Sequence, residues 1–396
     1  MRYEAENMDA AYGDNQRASS ADASKGAYTW CEEGRNKPSY FFANGYDDIP
    51  QGLYRVTWRL KVKSNTGSKA VVRLDVTQPG DRRYTLQTID LKPTDFKTPG
   101  VWQDFTYEFE RTEMGRIQYR GRFLGTGDIA IDCLDISFIR SFTEEELYAK
   151  ESKFYPVKIP ADLDALWKNS RHDEFRILEL KGVKYEELWR VPEAVAKIPN
   201  AKLDSRKWTK VWSLDFKDSD KYLPWSYEEL FVFDAVVLTC GDVRRLQAVG
   251  RKMLADYVTE GGRLIVLGGY ASYGKGEVKG TWAEKLFGVT IGSPWDLIPA
   301  GNGNLTRAKK LEVSSTQFIW PSGGKPLEVA WLHAVTPGSD VTVIWECGGK
   351  PALLERRVGK GLVRLVTLSQ LGPRENGRKL FCDLDEWPAV LAGVIK

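Results

Sequence analysis

The chain has 396 residues, 42% of them hydrophobic and 28% charged, with a net charge of +3 at neutral pH. That is enough chain for two domains with a core each, and a composition too apolar for a mainly disordered protein. The charges are evenly spread, 20 Lys and Arg against 20 Asp and Glu over residues 1–142 and 37 against 34 beyond, which excludes a basic arm of the kind that tracks nucleic acid.

From Tyr3 to about residue 140 large residues and charges alternate two apart. Leu53 to Lys63 is the clearest run, and Val71 to Val76 repeats it after the polar turn Ser64–Gly67. Trp102 to Phe109, Ile117 to Phe123 and Ile129 to Ile139 continue the pattern, which predicts an antiparallel β-sandwich of six to eight strands over residues 1–142. Trp58 and Trp102 fall within strands and are expected in the core. In the last strand Ile129, Ile131 and Cys133 share one phase and Leu134, Ile136 and Phe138 the other, so a bulge is expected near Asp132.

A helical connector is expected over 143–172, opened by the capping box Thr143–Glu146. From 173 to 396 the pattern is strand, helix, strand. Phe175–Leu180 reads as a strand, Tyr185–Val195 as a helix interrupted at Pro192, and Phe233–Thr239 as a strand buried in a parallel sheet. Asp242 is expected to cap a helix carrying Leu246, Val249, Met253, Leu254 and Tyr257 at helical spacing, stopped by Gly261 and Gly262. Strand Leu264–Leu267 runs into a glycine turn, and Thr281–Glu284 reads as a second capping box. Strands Val341–Trp345, Ala352–Arg356 and Leu362–Thr367 and a helix at Trp387–Val394 complete a three-layer α/β domain.

No apolar run approaches the roughly 20 residues that span a bilayer, and no hydrophobic leader follows Met1. The expectation is a cytoplasmic protein, or an extracellular or periplasmic one whose leader has been removed. Cys31, Cys133, Cys240, Cys347 and Cys382 include no C-x-x-C pair, against a zinc site, and their odd number argues against a complete disulfide framework.

Several segments carry a family resemblance: Tyr3–Glu6, Ala23–Tyr28, Gly52–Val56, Trp102–Phe105 and Ile131–Asp132. Through them the first 140 or so residues resemble calcium-binding carbohydrate-binding modules, β-sandwiches of the galactose-binding-like, jelly-roll type. The resemblance implies a structural calcium held by Glu4, Glu6 and Asp132, with Asp135 as substitute, in keeping with a hard cation that takes six to eight oxygens. The alternative is that Glu4 and Glu6 face solvent on an edge strand. It also implies a glycan partner. Sugar faces stack on aromatic rings, and Tyr12, Tyr28, Trp30 and Tyr40 in the loop-rich first 45 residues are the candidate rim. Plugging the end of the sandwich core is the competing role for each.

The later segments Phe233–Thr239, Gly261–Gly269, Gly348–Leu354 and Gly359–Val363 are similar to class I glutamine amidotransferase-like domains, flavodoxin-like in fold. In that family the turn after Leu267 presents a nucleophilic cysteine and a later histidine serves as base. Here the turn offers Tyr270, Ala271 and Ser272, and His333 is the only later histidine. Acyl transfer needs an activated nucleophile, a base in reach and oxyanion donors. The glycines of the turn are retained, so backbone donors are expected to survive, but the thiol is missing. Cys240 at the end of the preceding strand reads as a buried structural cysteine, and Ser272 lacks an obvious base. Gly269 to Lys275 fits G-x-x-x-x-G-K, but Gly276 stands where Ser or Thr belongs and no helix follows at once.

The sequence therefore supports a non-catalytic carbohydrate-associated binding protein with a degenerate amidotransferase-like scaffold. Two alternatives stay open: a hydrolase or amidase using Cys240 or Ser272, and a structural protein that forms homo-oligomers without binding sugar.

Overall fold

The computed structural model describes residues 1–8, 15–43, 49–78, 84–112, 117–153, 156–182, 185–207, 224, 226–241, 243–270, 272–276, 278–292, 296–299, 309–313, 328–372 and 379–396. These divide into two compact units, with the break between Phe142 and Thr143.

The first unit is built from β1 (Arg2–Glu4), β2 (Gln16–Ser19), β3 (Ala27–Cys31), β4 (Ser39–Ala43), β5 (Gly52–Val62), β6 (Val72–Gln78), β7 (Tyr84–Leu91), β8 (Gln103–Arg111), β9 (Gln118–Phe123) and β10 (Ile129–Arg140). They form a six-stranded sheet in the order β2-β3-β10-β5-β8, with β1 also on β10, and a four-stranded sheet in the order β4-β9-β6-β7. The alternation of β5 buries Tyr54, Val56, Trp58, Leu60 and Val62. They pack in one core with Val72, Leu74 and Val76 of β6 and Phe123 of β9, residues of the two inner faces of a β-sandwich. Gly121 is small because a Cβ there would fall 1.9 Å from the ring of Phe42.

The parity change in β10 has its expected cause. Ile131 lies opposite Leu60 while Cys133 lies opposite Arg59, leaving Asp132 as the extra residue of a bulge. The first 45 residues, expected to be loop-rich, contain β2, β3 and β4, so Tyr28 and Trp30 stand on a strand.

The second unit opens with α1 (Glu144–Glu151) and α2 (Leu163–Asn169), followed by β11 (Phe175–Lys181), α3 (Val191–Val195), β12 (Ala201–Lys207), α4 (Tyr227–Phe231), β13 (Ala235–Thr239), α5 (Gln247–Glu260), β14 (Arg263–Leu267) and α6 (Trp282–Phe287). Short strands come next: β15 (Val289–Ile291), β16 (Leu297–Pro299), β17 (Lys309–Val313), β18 (Glu328–Val329), β19 (Trp331–His333) and β20 (Val335–Pro337). The chain closes with β21 (Thr342–Cys347), β22 (Lys350–Val358), β23 (Gly361–Val366), β24 (Leu368–Ser369) and α7 (Trp387–Ile395).

A nine-stranded sheet runs β12-β11-β13-β14-β23-β22-β21-β17-β18, parallel as far as β23 and antiparallel beyond. β13 is buried along its whole length because both faces are covered. Ala235 and Val237 face a core with Trp189 and α7, while Val236 and Leu238 face Val249, Met253 and Tyr257 of α5. This is a helix–sheet–helix layering. β12, the edge strand, leaves little mark in the sequence, since Lys202, Asp204 and Arg206 dilute its apolar pattern.

The capping box at Thr143 forms as expected, with the Glu146 N–H on Thr143 Oγ1 and the Thr143 N–H on Glu146. The second one does not: Thr281 Oγ1 donates to Val278 O, and Glu284 takes the Gly280 N–H. Asp242 lies outside the described residues, and the helix it was expected to cap begins at Gln247 after a 3₁₀ turn. The connector segment 143–169 is part of the second unit, with α1 tied to α5 by a buried Glu144–Arg251 ion pair at 2.6 Å.

Candidate functional site

On β3 the alternation turns Thr29 and Cys31 inward and leaves Tyr28 and Trp30 half-buried on the outer face of the six-stranded sheet. In register, Trp30 faces Ala130 and Ala130 faces Lys61. A methyl group between two long side chains leaves a depression. The result is a cleft of about 280 Å³ whose walls include Tyr28, Trp30, Glu32, Lys61, Lys63 and Asp128. Its polar groups are held in place. Asp128 accepts the Glu33 N–H at 2.9 Å and meets Lys63 at 3.4 Å, and Glu32 meets Arg35 at 3.6 Å.

Trp102, expected in the core, is half-buried beside the cleft. Its ring centre is 5.4 Å from that of Tyr28 at an interplanar angle of 76°, and the Lys61 ammonium lies between them, 4.2 Å from Trp102 and 4.7 Å from Tyr28. Strand parity carries the signal: Phe105, Tyr107 and Phe109 are the inward set of β8, so Trp102 shares the outward phase of Asp104, Thr106 and Glu108. Of the other rim candidates, Tyr12 lies outside the described residues. Tyr40 is not brought to the cleft: it belongs to β4 of the other sheet, with the guanidinium of Arg120 at 4.6 Å and that of Arg122 at 5.9 Å from its ring centre.

Of the predicted cation ligands, Glu4 and Asp132 come together, with ligand atoms within 4.8 Å of each other and of Cys133, whereas Glu6 lies close enough for its charge to act on Asp132 but does not join that group. Glu4 and Asp132 are buried, and Glu4 Oε2, Glu6 Oε2 and Asp132 Oδ2 are buried oxygens with no hydrogen-bond donor among the described residues. Their other contacts are Ser24 N–H to Asp132 at 2.8 Å, the Ser24 hydroxyl to Glu4 at 3.2 Å, Arg59 Nε beside Asp132 Oδ2 at 3.2 Å and Lys25 Nζ 3.7 Å from Glu4. Burial pushes the Asp132 carboxyl up, and the charges of Glu4 and Glu6 add to this against the Ser24 N–H and Arg59. Two clustered carboxylates with orphaned oxygens, and the Glu6 charge nearby, offer the oxygen donors that a hard cation takes. Cys133 Sγ is within 4.8 Å of ligand atoms of Glu4 and Asp132, and burial pushes its thiol up to about 12; a soft sulfur is a poor partner for a hard cation. Asp135, the substitute, is excluded from this group: it is paired with Arg2 at 2.6 Å on the surface.

In the second unit the carboxyl edge of the parallel sheet gathers Cys240, the Gly268–Gly269 turn and His333. Cys240 has left-handed backbone, φ +53°. Its sulfur is buried, 2.9 Å from Gln370 Nε2 and 3.6 Å from Gly268 O, and burial pushes the thiol up to about 12. His333 Nε2 accepts the Gly269 N–H at 3.1 Å, so its proton is on Nδ1, which donates to Asp296 at 3.1 Å. Asp296 also takes the Gly274 N–H at 3.0 Å. Ser272 is buried, donating to Leu267 O at 3.1 Å. The oxyanion donors expected from the glycines are not free, since the Gly269 N–H is used by His333. These glycines allow close packing instead: a Cβ on Gly269 would fall 2.3 Å from Cys240 Sγ, and one on Gly268 would fall 2.2 Å from Leu368 O. Neither Cys240 nor Ser272 hydrogen-bonds His333 among the described residues. Lys275, of the phosphate-loop-like segment, lies 3.4 Å from the Tyr270 ring centre, and the next helix opens only at Trp282.

Fold and site together define a two-unit protein, a β-sandwich with an aromatic cleft followed by a layered α/β unit. No known family profile and no curated protein matches the sequence. Among solved structures, the chain is similar to the cytoplasmic protein STM1381 from Salmonella typhimurium LT2, at 17% identity over 56% of this chain and 99% of that one, with a TM-score of 0.44. It is similar to the cytoplasmic protein STM3548 from Salmonella typhimurium at 15% identity over 55% and 97%, with a TM-score of 0.45. It is also similar to CsCBM6-3 from Clostridium stercorarium, solved with cellobiose, at 18% identity over 35% and 94%, with a TM-score of 0.26. No helix among the described residues is long and apolar enough to cross a membrane.

Proposed function

We propose that this chain is a non-catalytic glycan-binding protein whose sandwich unit takes sugar in the cleft beside Tyr28 and Trp30. The observation that carries the reading is the cleft itself. Two aromatic side chains from one strand stand over a small-residue floor, ringed by anchored charged groups that can donate to and accept from hydroxyls. In this reading residues 1–142 are a galactose-binding-like module stabilised by calcium on Glu4, Glu6 and Asp132. Residues 143–172 are a connector, and 173–396 are a flavodoxin-like, amidotransferase-like scaffold. The protein then acts outside the cytoplasm, where polysaccharides are met.

Titration calorimetry of the full chain against plant, algal and microbial oligosaccharides tests the reading. Trp30→Ala should weaken binding at least about tenfold, equivalent to about 1.4 kcal/mol, while Tyr40→Ala should leave it unchanged. No binding by the unaltered protein, or a Trp30→Ala variant that binds as before, would refute the cleft assignment. A second reading, a hydrolase or amidase acting through Cys240, is favoured by the left-handed backbone of that residue at the sheet edge where α/β ligands bind.

A further inference from the structure

The cleft holds a cation with no acceptor at hydrogen-bond distance among the described residues, and its acceptors are occupied. The Lys61 side chain is only 18% exposed. Its ammonium carries three N–H groups and rests between the faces of Tyr28 and Trp102, yet it donates no hydrogen bond among the described residues. Among the described residues the carboxylate it meets is Asp22, whose Oδ2 is 3.8 Å away on a side chain more than half exposed, the other oxygen taking the Ser20 hydroxyl. The indole N–H of Trp102 beside it is buried and acts on the same Asp22 carboxylate, without a hydrogen bond of good geometry among the described residues. On the acceptor side, both oxygens of Asp128 are engaged, by the Glu33 N–H and Lys63, and Glu32 faces Arg35.

From this imbalance we infer that the cleft selects acidic glycans, with the carboxylate of a uronic acid residue accepting from Lys61. The inference rests on the glycan reading of the same cleft and adds the ligand class and the residue that reads it. A cation removed from water gains most from an anionic acceptor at hydrogen-bond distance, whereas a neutral hydroxyl replaces only part of the lost hydration. The two rings fix the ammonium and take up their own faces in doing so. Trp30 is then the ring left for stacking, and a uronate lying on it presents its carboxylate toward Lys61.

The test uses the full chain and paired probes: short oligomers of galacturonate, of mannuronate and guluronate, and glucuronate-bearing oligosaccharides, each beside its carboxyl-reduced counterpart. At least one acidic oligomer should bind ten or more times tighter than its reduced form. That preference should fall below threefold in Lys61→Met and shrink as salt is raised. If Lys61→Met does not fold, Lys61→Gln and the salt dependence of the unaltered protein carry the same comparison. Reduced forms binding as tightly as acidic ones would overturn the acidic preference while leaving the cleft a glycan site. A preference that survives loss of Lys61 would overturn its role as the reading residue, and no binding to either set would remove the glycan reading itself.

Discussion

His333 Nε2 accepts the backbone N–H of Gly269 at 3.1 Å, so the imidazole best placed to serve as a base is committed to holding the turn it would have served. Its other nitrogen is fixed by Asp296. The same group that resembles part of a catalytic set is therefore a structural clamp, and its proton inventory is that of a neutral ring with both nitrogens in use.

For the second unit, the expected outcome is no ammonia release from glutamine and slow modification of Cys240 by a thiol-reactive electrophile. A buried thiol pushed up to about 12 has almost no thiolate at neutral pH. Turnover that is lost in Cys240→Ala would promote the enzyme reading.

Calcium should raise the melting temperature of the first unit, and chelator should lower it, because an ion that binds only the folded form stabilises it by mass action. Asp132→Asn should abolish the response by removing a buried charge from the group of Glu4 and Glu6. An identical melt with calcium and with chelator, together with no metal by elemental analysis, would exclude the site.

Glu151 gives the second unit a pH dependence. Burial pushes its carboxyl up to about 7 despite the Arg251 charge and the Ala248 N–H that it accepts at 2.6 Å. A carboxyl raised in the folded state favours folding while it is protonated. Its contribution is complete below the unfolded value near 4.5 and is lost as pH rises toward 7, amounting to at most about 3 kcal/mol. Melting curves of Glu151→Gln, compared with the unaltered protein between pH 5 and 8, should show a smaller loss of stability with rising pH. Parallel curves would rule this out.

Arg251→Met should cost the second unit about 3–5 kcal/mol, since it leaves the Glu144 carboxylate buried without its partner. Adding Glu144→Leu should recover part of that loss, though the Trp282 N–H at 3.3 Å then loses an acceptor. Denaturant titration of the single and double variants measures both steps, and a double variant no more stable than Arg251→Met would contradict the account.

The sequence by itself determined where chain alternates and where it coils. The run from Leu53 to Lys63 had to be a half-buried strand, the phase change at Asp132 had to be absorbed by an extra residue, and Gly261 had to end the helix before β14. These are local consequences of covering one face of a strand or one stripe of a helix, so the pattern of apolar residues carries them. Tertiary structure alone decided which side chains meet. Tyr28 and Tyr40 are alike in sequence context, but pairing sends one to the six-stranded sheet and the other to the four-stranded sheet. Trp102 reaches Tyr28 and Lys61 across long chain separations, and His333 reaches Gly269 only because β19 lies beside β24 near the carboxyl end of β14. Alternation records that a face is covered and contains nothing about what covers it, because burial depends on area removed from water and not on which residue removes it.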